Sequence, residues 1–243
     1  MRKIFKAIYW PVLVTLSSLY TTAGAYANET TYLYTGLRHL HNAASNYYLS
    51  LRDSVIEGNT FSPNTFYAEL EKAKSAFDSE NLPNHIKIEA TETIHLLQNS
   101  AEFVEKNGYA YPAGDEKMEE SFSELRNEIS SVTDNLSLNK QPYVTFDRLS
   151  HVFHNYLALQ VRVGEATNPA IARDDISVLA SDANSQLLKL IEMHPNDHDL
   201  LKTKTTWNFI YGPITEWREK EIVHLVSEYQ KYILDSVMKK MNQ

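Results

Sequence analysis

The chain contains no cysteine. Disulfides, thiolate metal ligands and thiol nucleophiles are excluded together, and so is a lipid anchor on a processed N-terminal cysteine. Backbone breakers are scarce as well: seven glycines and eight prolines in 243 residues are too few to punctuate a fold of many short strands. Beyond the N-terminus there is no run of roughly 20 apolar residues of the kind that spans a bilayer. Positive charge is in short supply, with 23 Lys and Arg against 31 Asp and Glu and a net charge of −8. That balance repels phosphate backbones and anionic lipid heads, which argues against nucleic acid and against a peripheral membrane role.

The first residues have the layout of an export signal. Arg2, Lys3 and Lys6 form a basic head, Ala7 to Tyr20 an apolar run, and Ala25-Tyr26-Ala27 a small-x-small cleavage pattern. Cleavage is expected after Ala27, giving 1–27 as a signal peptide and a periplasmic or secreted protein with no membrane span after processing. Removing that leader, which carries three basic and no acidic groups, leaves a net charge of −11 on 216 residues.

Apolar residues then recur at spacings of three and four, the helical period, and the fold class expected is all-α. Leu33, Leu37, Leu40, Ala44, Tyr47, Leu51 and Val55 make one stripe, ended by Gly58-Asn59. Ser62-Pro63 reads as the start of a second helix with Phe66, Leu70, Ala73 and Phe77 inward. A turn at Asn81 to Asn84 precedes a third stripe, Ile86, Ala90, Ile94, Leu97, Ala101 and Val104, stopped by Asn107-Gly108. "YAYPAGD" reads as a loop before a fourth helix through Met118, Phe122, Leu125, Ile129 and Val132.

The pattern then returns. Leu149, Val152, Tyr156, Leu159 and Val163 follow Leu37, Leu40, Ala44, Tyr47 and Leu51 at a constant offset of 112, and Pro83-Asn84 meets Pro195-Asn196. One inserted residue later Ile94 meets Trp207, Leu97 meets Ile210, Ala101 meets Ile214 and Val104 meets Trp217. The architecture expected is a tandem antiparallel bundle of two repeats with about four helices each, 28–138 and 139–243, with the linker at Leu136 to Tyr143.

Histidines raise the question of a site. Under the 112 offset His39 meets His151, one position off the core stripe. His151 and His154 share a helix face, with Asp147 one turn earlier, a trio able to hold a metal. Glu92-x-x-His95 and Glu221-x-x-His224 match the spacing found in di-iron bundles, with Glu57, Glu69, Glu165 and Glu192 available as further ligands. Helix faces argue against that reading: Ile222, Leu225, Val226, Tyr229 and Ile233 as the core of the last helix turn His224 to solvent, although His95 reads as nearer the interior. "HPNDHD", residues 194–199, reads as helix punctuation, with Asn196 or Asp197 as a cap. No nucleophile elbow, phosphate-cradling glycine loop or paired zinc motif is present. No catalytic residue, metal site or cofactor is therefore expected, and the chain reads as a non-enzyme. A structural or protein-interaction bundle and a metal-dependent helical enzyme stand as the alternatives.

Arg148-Leu149-Ser150-His151 and Trp207-Asn208-Phe209, with only Arg38-His39-Leu40, whose arginine is 110 rather than 112 residues before Arg148, and Ile94 in place of the Trp in the first half, give the chain a family likeness. It resembles the N-terminal sensor domains of type IV pilus chemotaxis transducers, similar to the nitrate-sensor periplasmic bundle. In that family two tandem helical repeats follow a signal peptide, an Arg-Met-Leu-Ser-Gln run lies on a first helix, and a later helix carries Trp followed closely by Phe. The resemblance implies a non-enzymatic sensory or binding module that holds a small anion between paired first helices. Arg38 and Arg148 are the ligand-binding residues it implies; His39 and His151, matched by the 112 offset, stand beside them as candidates. A membrane-bound receptor or other envelope protein is the partner a chain without its own membrane span would need.

Overall fold

The computed structural model describes residues 5–56, 64–110, 112–134, 139–162, 173–216 and 222–241, with α1 side chains from Glu29 onward. Within these residues the chain forms eight helices and no strand: α1 (Phe5–Ile56), α2 (Asn64–Phe77), α3 (Asn84–Asn107), α4 (Pro112–Asp134), α5 (Gln141–Arg162), α6 (Arg173–Met193), α7 (His198–Thr215) and α8 (Val223–Met238). Among the described residues no helix is long and apolar enough to cross a membrane. α1 runs without a break through Ala27, the position after which cleavage is expected.

Local chemistry sets the helix ends. Gly108 takes the left-handed conformation, φ 76°, and its N–H closes onto the Val104 carbonyl, a geometry glycine enters at no steric cost. At the other turn Asp197 caps α7 by accepting the Leu200 N–H at 2.9 Å, and Lys240 pairs with the same carboxylate. Two expected loops are shorter than their prolines suggest. Pro112 is the first residue of α4 and Pro142 the second of α5, because a proline in the first turn has no N–H bond to lose and its fixed φ suits a helix. The expected Gly58-Asn59 stop, the Ser62-Pro63 start, Val163 and Trp217 lie outside the described residues.

α1 and α5 form the centre. α1 packs on α2 and α5 and more lightly on α8, α3 and α4, α5 also packs on α6 and α8, and α2–α3, α3–α4, α6–α7 and α7–α8 complete the main helix pairs among the described residues. Gly36 sits where α1 and α2 approach closely: a Cβ there would lie 2.7 Å from the Phe77 ring. Buried apolar side chains of all eight helices form one cluster. Of the positions matched between the halves, Ile94 is half-buried where Trp207 is fully buried, while six other pairs agree. Leu37 and Leu149, Leu40 and Val152, Ala44 and Tyr156, and Tyr47 and Leu159 are all buried, as are Leu97 and Ile210, and Ala101 and Ile214.

In two places the inward face differs from expectation. His95 is exposed, as is Glu92. In α8 the buried line runs through Val223, Val226, Ser227, Gln230, Ile233, Leu234 and Val237, leaving Ile222, Leu225 and Tyr229 only half-buried. Gln230 faces inward, where its amide oxygen accepts from the buried Ser45 hydroxyl at 2.9 Å, so a polar residue sits in the buried face beside Val226 and Ile233.

Candidate ligand-binding site

Where α1, α4 and α5 meet, polar side chains converge on a cavity of about 70 Å³. His41 enters from α1. Glu119, Phe122 and Arg126 enter from one face of α4 at helical spacings of three and four. His151, His154 and Asn155 enter from α5. Phe122 organises the rings, its centroid 4.8 Å from that of His154 and 5.3 Å from that of His41. The two imidazoles lie 5.8 Å apart, edge to face.

One corner of the pocket is fixed by hydrogen bonds. The His154 Nε2 lies 2.8 Å from Glu119 Oε2, and the Tyr48 hydroxyl donates to the other carboxylate oxygen. A carboxylate only accepts, so Nε2 carries the hydrogen and Nδ1 of His154 meets no partner. Opposite it, Arg126 donates from Nε and Nη2 to Asp147 Oδ1 at 3.0 and 2.9 Å. His41 is different. It is 1% exposed, and neither of its ring nitrogens meets a hydrogen-bond partner, nor does Nδ1 of His151. Leaving a buried polar group unpaired costs about 1–3 kcal/mol. Burial, with His154 and Arg126 adding repulsion, holds His41 well below the ordinary histidine range. Burial and then Arg126 push His151 down to about 3. Both rings are neutral at pH 7.

The Arg126–Asp147 pair separates this cavity from a second one of about 150 Å³, lined by Tyr34, Thr133, Lys140, Tyr143, Asp147 and Arg148. Arg148 forms an ion pair with Asp182, its Nε 2.9 Å from a carboxylate oxygen but outside hydrogen-bond geometry.

Of the four residues expected to hold a ligand, the structure groups His151 and Arg148 along these two adjacent cavities. Arg38 and His39 belong to another network. Arg38 pairs with Asp235 of α8 and lies 3.0 Å from His39 Nε2, while His39 Nδ1 lies 2.8 Å from Glu69 Oε2. Burial favours the neutral form of Glu69, but hydrogen bonds from His39, Lys72 and Asn42 outweigh it and hold the carboxyl at about 2. The pairing of His39 with His151 suggested by the repeat is not a contact; the contact is His41 with His154. The Asp147, His151 and His154 trio is divided among partners, Asp147 by Arg126 and His154 by Glu119. Among the described residues no three histidine or acidic groups are placed to hold a metal ion. Glu57, Glu165 and Glu221 lie outside them, Glu192 is exposed, and His224 faces Asp53 at 3.3 Å on the surface.

No protein-family model, curated protein or solved structure matches the chain.

Proposed function

We propose that this is an exported, non-enzymatic helical-bundle protein that binds a small anionic molecule as a sensory or accessory module and passes the signal to a membrane-bound receptor or another envelope protein. The observation that carries this reading is His41: a nearly inaccessible imidazole with two unpartnered nitrogens, on the wall of a cavity beside the Arg126 guanidinium. A strongly acidic protein holds an anion only where positive charge and N–H donors are gathered locally, and this pocket gathers them. The matched seams of the two halves, Leu37 with Leu149 and Leu97 with Ile210, support a duplication in which the first helices of the copies, α1 and α5, became two of the pocket's three walls, α4 being the third. His151 stays a ligand-binding residue in this reading, whereas Arg148 lines the neighbouring cavity and Arg38 and His39 act in stability.

The reading is tested by thermal unfolding with millimolar formate, acetate, nitrate or phosphate. An anion raises the midpoint by the mass-action stabilisation of a bound state. The rise shrinks in Arg126→Gln/Asp147→Asn, which removes the guanidinium without stranding its partner, and survives in Arg38→Ala. If no anion raises the midpoint, or the double variant responds as the parent does, the reading fails.

A further inference from the structure

The pocket holds an imbalance of charge that a ligand would feel. From α1 it is faced by His41; from α4 by Arg126 and Glu119; from α5 by His151 and His154, with Asp147 and Arg148 a turn earlier. Both carboxylates are engaged, Glu119 by Tyr48 and His154, and Asp147 by Arg126. A proton placed on His41 or His151 lies close to Arg126, and burial, the larger cause, keeps both rings neutral in the absence of an anion even though Glu119 favours the charged form of His151.

An anion inverts this. A neutral imidazole has one N–H and one lone pair, so an oxyanion set against His41 is held at one nitrogen and repelled at any lone pair that faces it. Protonation turns both nitrogens into donors, and the anion's charge offsets the repulsion from Arg126. Ring and anion then form a charge-assisted pair in a site shielded from water. We propose that the pocket takes up a small oxyanion together with one proton, and that the proton resides on His41 or His151. The idea rests on the reading that this pocket is the ligand site, and it adds that acidity strengthens binding there. The coupling is reciprocal: whatever raises proton affinity on anion binding raises anion affinity on protonation by the same factor.

The test is isothermal titration calorimetry of the purified chain with sodium nitrate and sodium formate, in buffers of differing ionisation enthalpy, at about pH 7.5 and about pH 5.5. Nitrate takes no proton in this range, so proton uptake on nitrate binding must occur on the protein. The expected result is uptake of a proton with each nitrate and a Kd that falls as pH falls, approaching about tenfold per pH unit where uptake is complete. His41→Asn and His151→Asn locate the proton. Should either variant fail to fold, the imidazole 15N shifts of the parent chain, read with and without nitrate, identify the ring that gains it. Binding of nitrate and formate with no proton exchanged, or uptake unchanged in both variants, overturns the coupling while leaving the ligand site in place. Binding of neither anion overturns the coupling and the ligand site together.

Discussion

His41 and His154 illustrate how a residue's neighbours decide its chemistry. Their rings lie 5.8 Å apart, yet His154 is tied to Glu119 and His41 to nothing. Because His41 and His151 bind protons less readily folded than unfolded, the unfolded chain is the greater proton binder in acid. The stability they contribute is fully present above the unfolded histidine pKa of about 6.5 and is lost as pH falls below it. His41→Phe/His151→Phe should therefore flatten the decline of the unfolding midpoint between about pH 6.5 and about pH 4, measured by circular dichroism; a slope equal to the parent's would contradict the assignment. Sequence pointed to histidines of the first helices and named His39 in α1, whereas the α1 histidine that lines the cavity is His41. An internal offset matches His39 to His151 as equivalent positions, whereas contact depends on which face each helix buries. A signal was present: His41 stands four residues after Leu37, three before Ala44 and seven before Tyr48, all buried, so a stripe drawn one position wider contains it. Glu119 and Arg126 carried no such signal, since their roles depend on α4 lying against α1 and α5.

At the level of elements, the stripes of α2, α3 and α4 were legible because each buries a narrow apolar face, and the turns at Pro83 and Pro195 because proline and asparagine leave few alternatives. The starts of α4 and α5 were not, since proline in a first helical turn has the same letters as proline in a loop. Gly36 shows an element-scale constraint that only packing discloses. With the Phe77 ring 2.7 Å from where a Cβ would stand, Gly36→Ala must push α2 or the buried ring aside. The expected destabilisation is about 1–3 kcal/mol by urea unfolding, partly relieved in the double variant with Phe77→Leu. If alanine at 36 is neutral or stabilising, as its helix propensity alone predicts, the close approach of α1 and α2 is not as described.

The whole molecule explains why the pocket lies where it does. One apolar cluster runs through all eight helices, and its two central members, α1 and α5, come from opposite halves. The cavity beside them takes side chains from both halves, His41 from α1 and His151 and His154 from α5, so its shape depends on how the halves pack. Cavities walled by helices distant in sequence leave no local motif, so the all-helical class was legible from periodicity while the site emerged only from the packed chain. The most direct test of the account is a long-range 1H–15N imidazole spectrum of the full chain during titration with formate. The nitrogens of His41, His151 and His154 should shift together along one saturating curve, while the exposed His85 and His224 stay still. Shifts confined to the exposed rings, or three pocket imidazoles that do not respond, would contradict it.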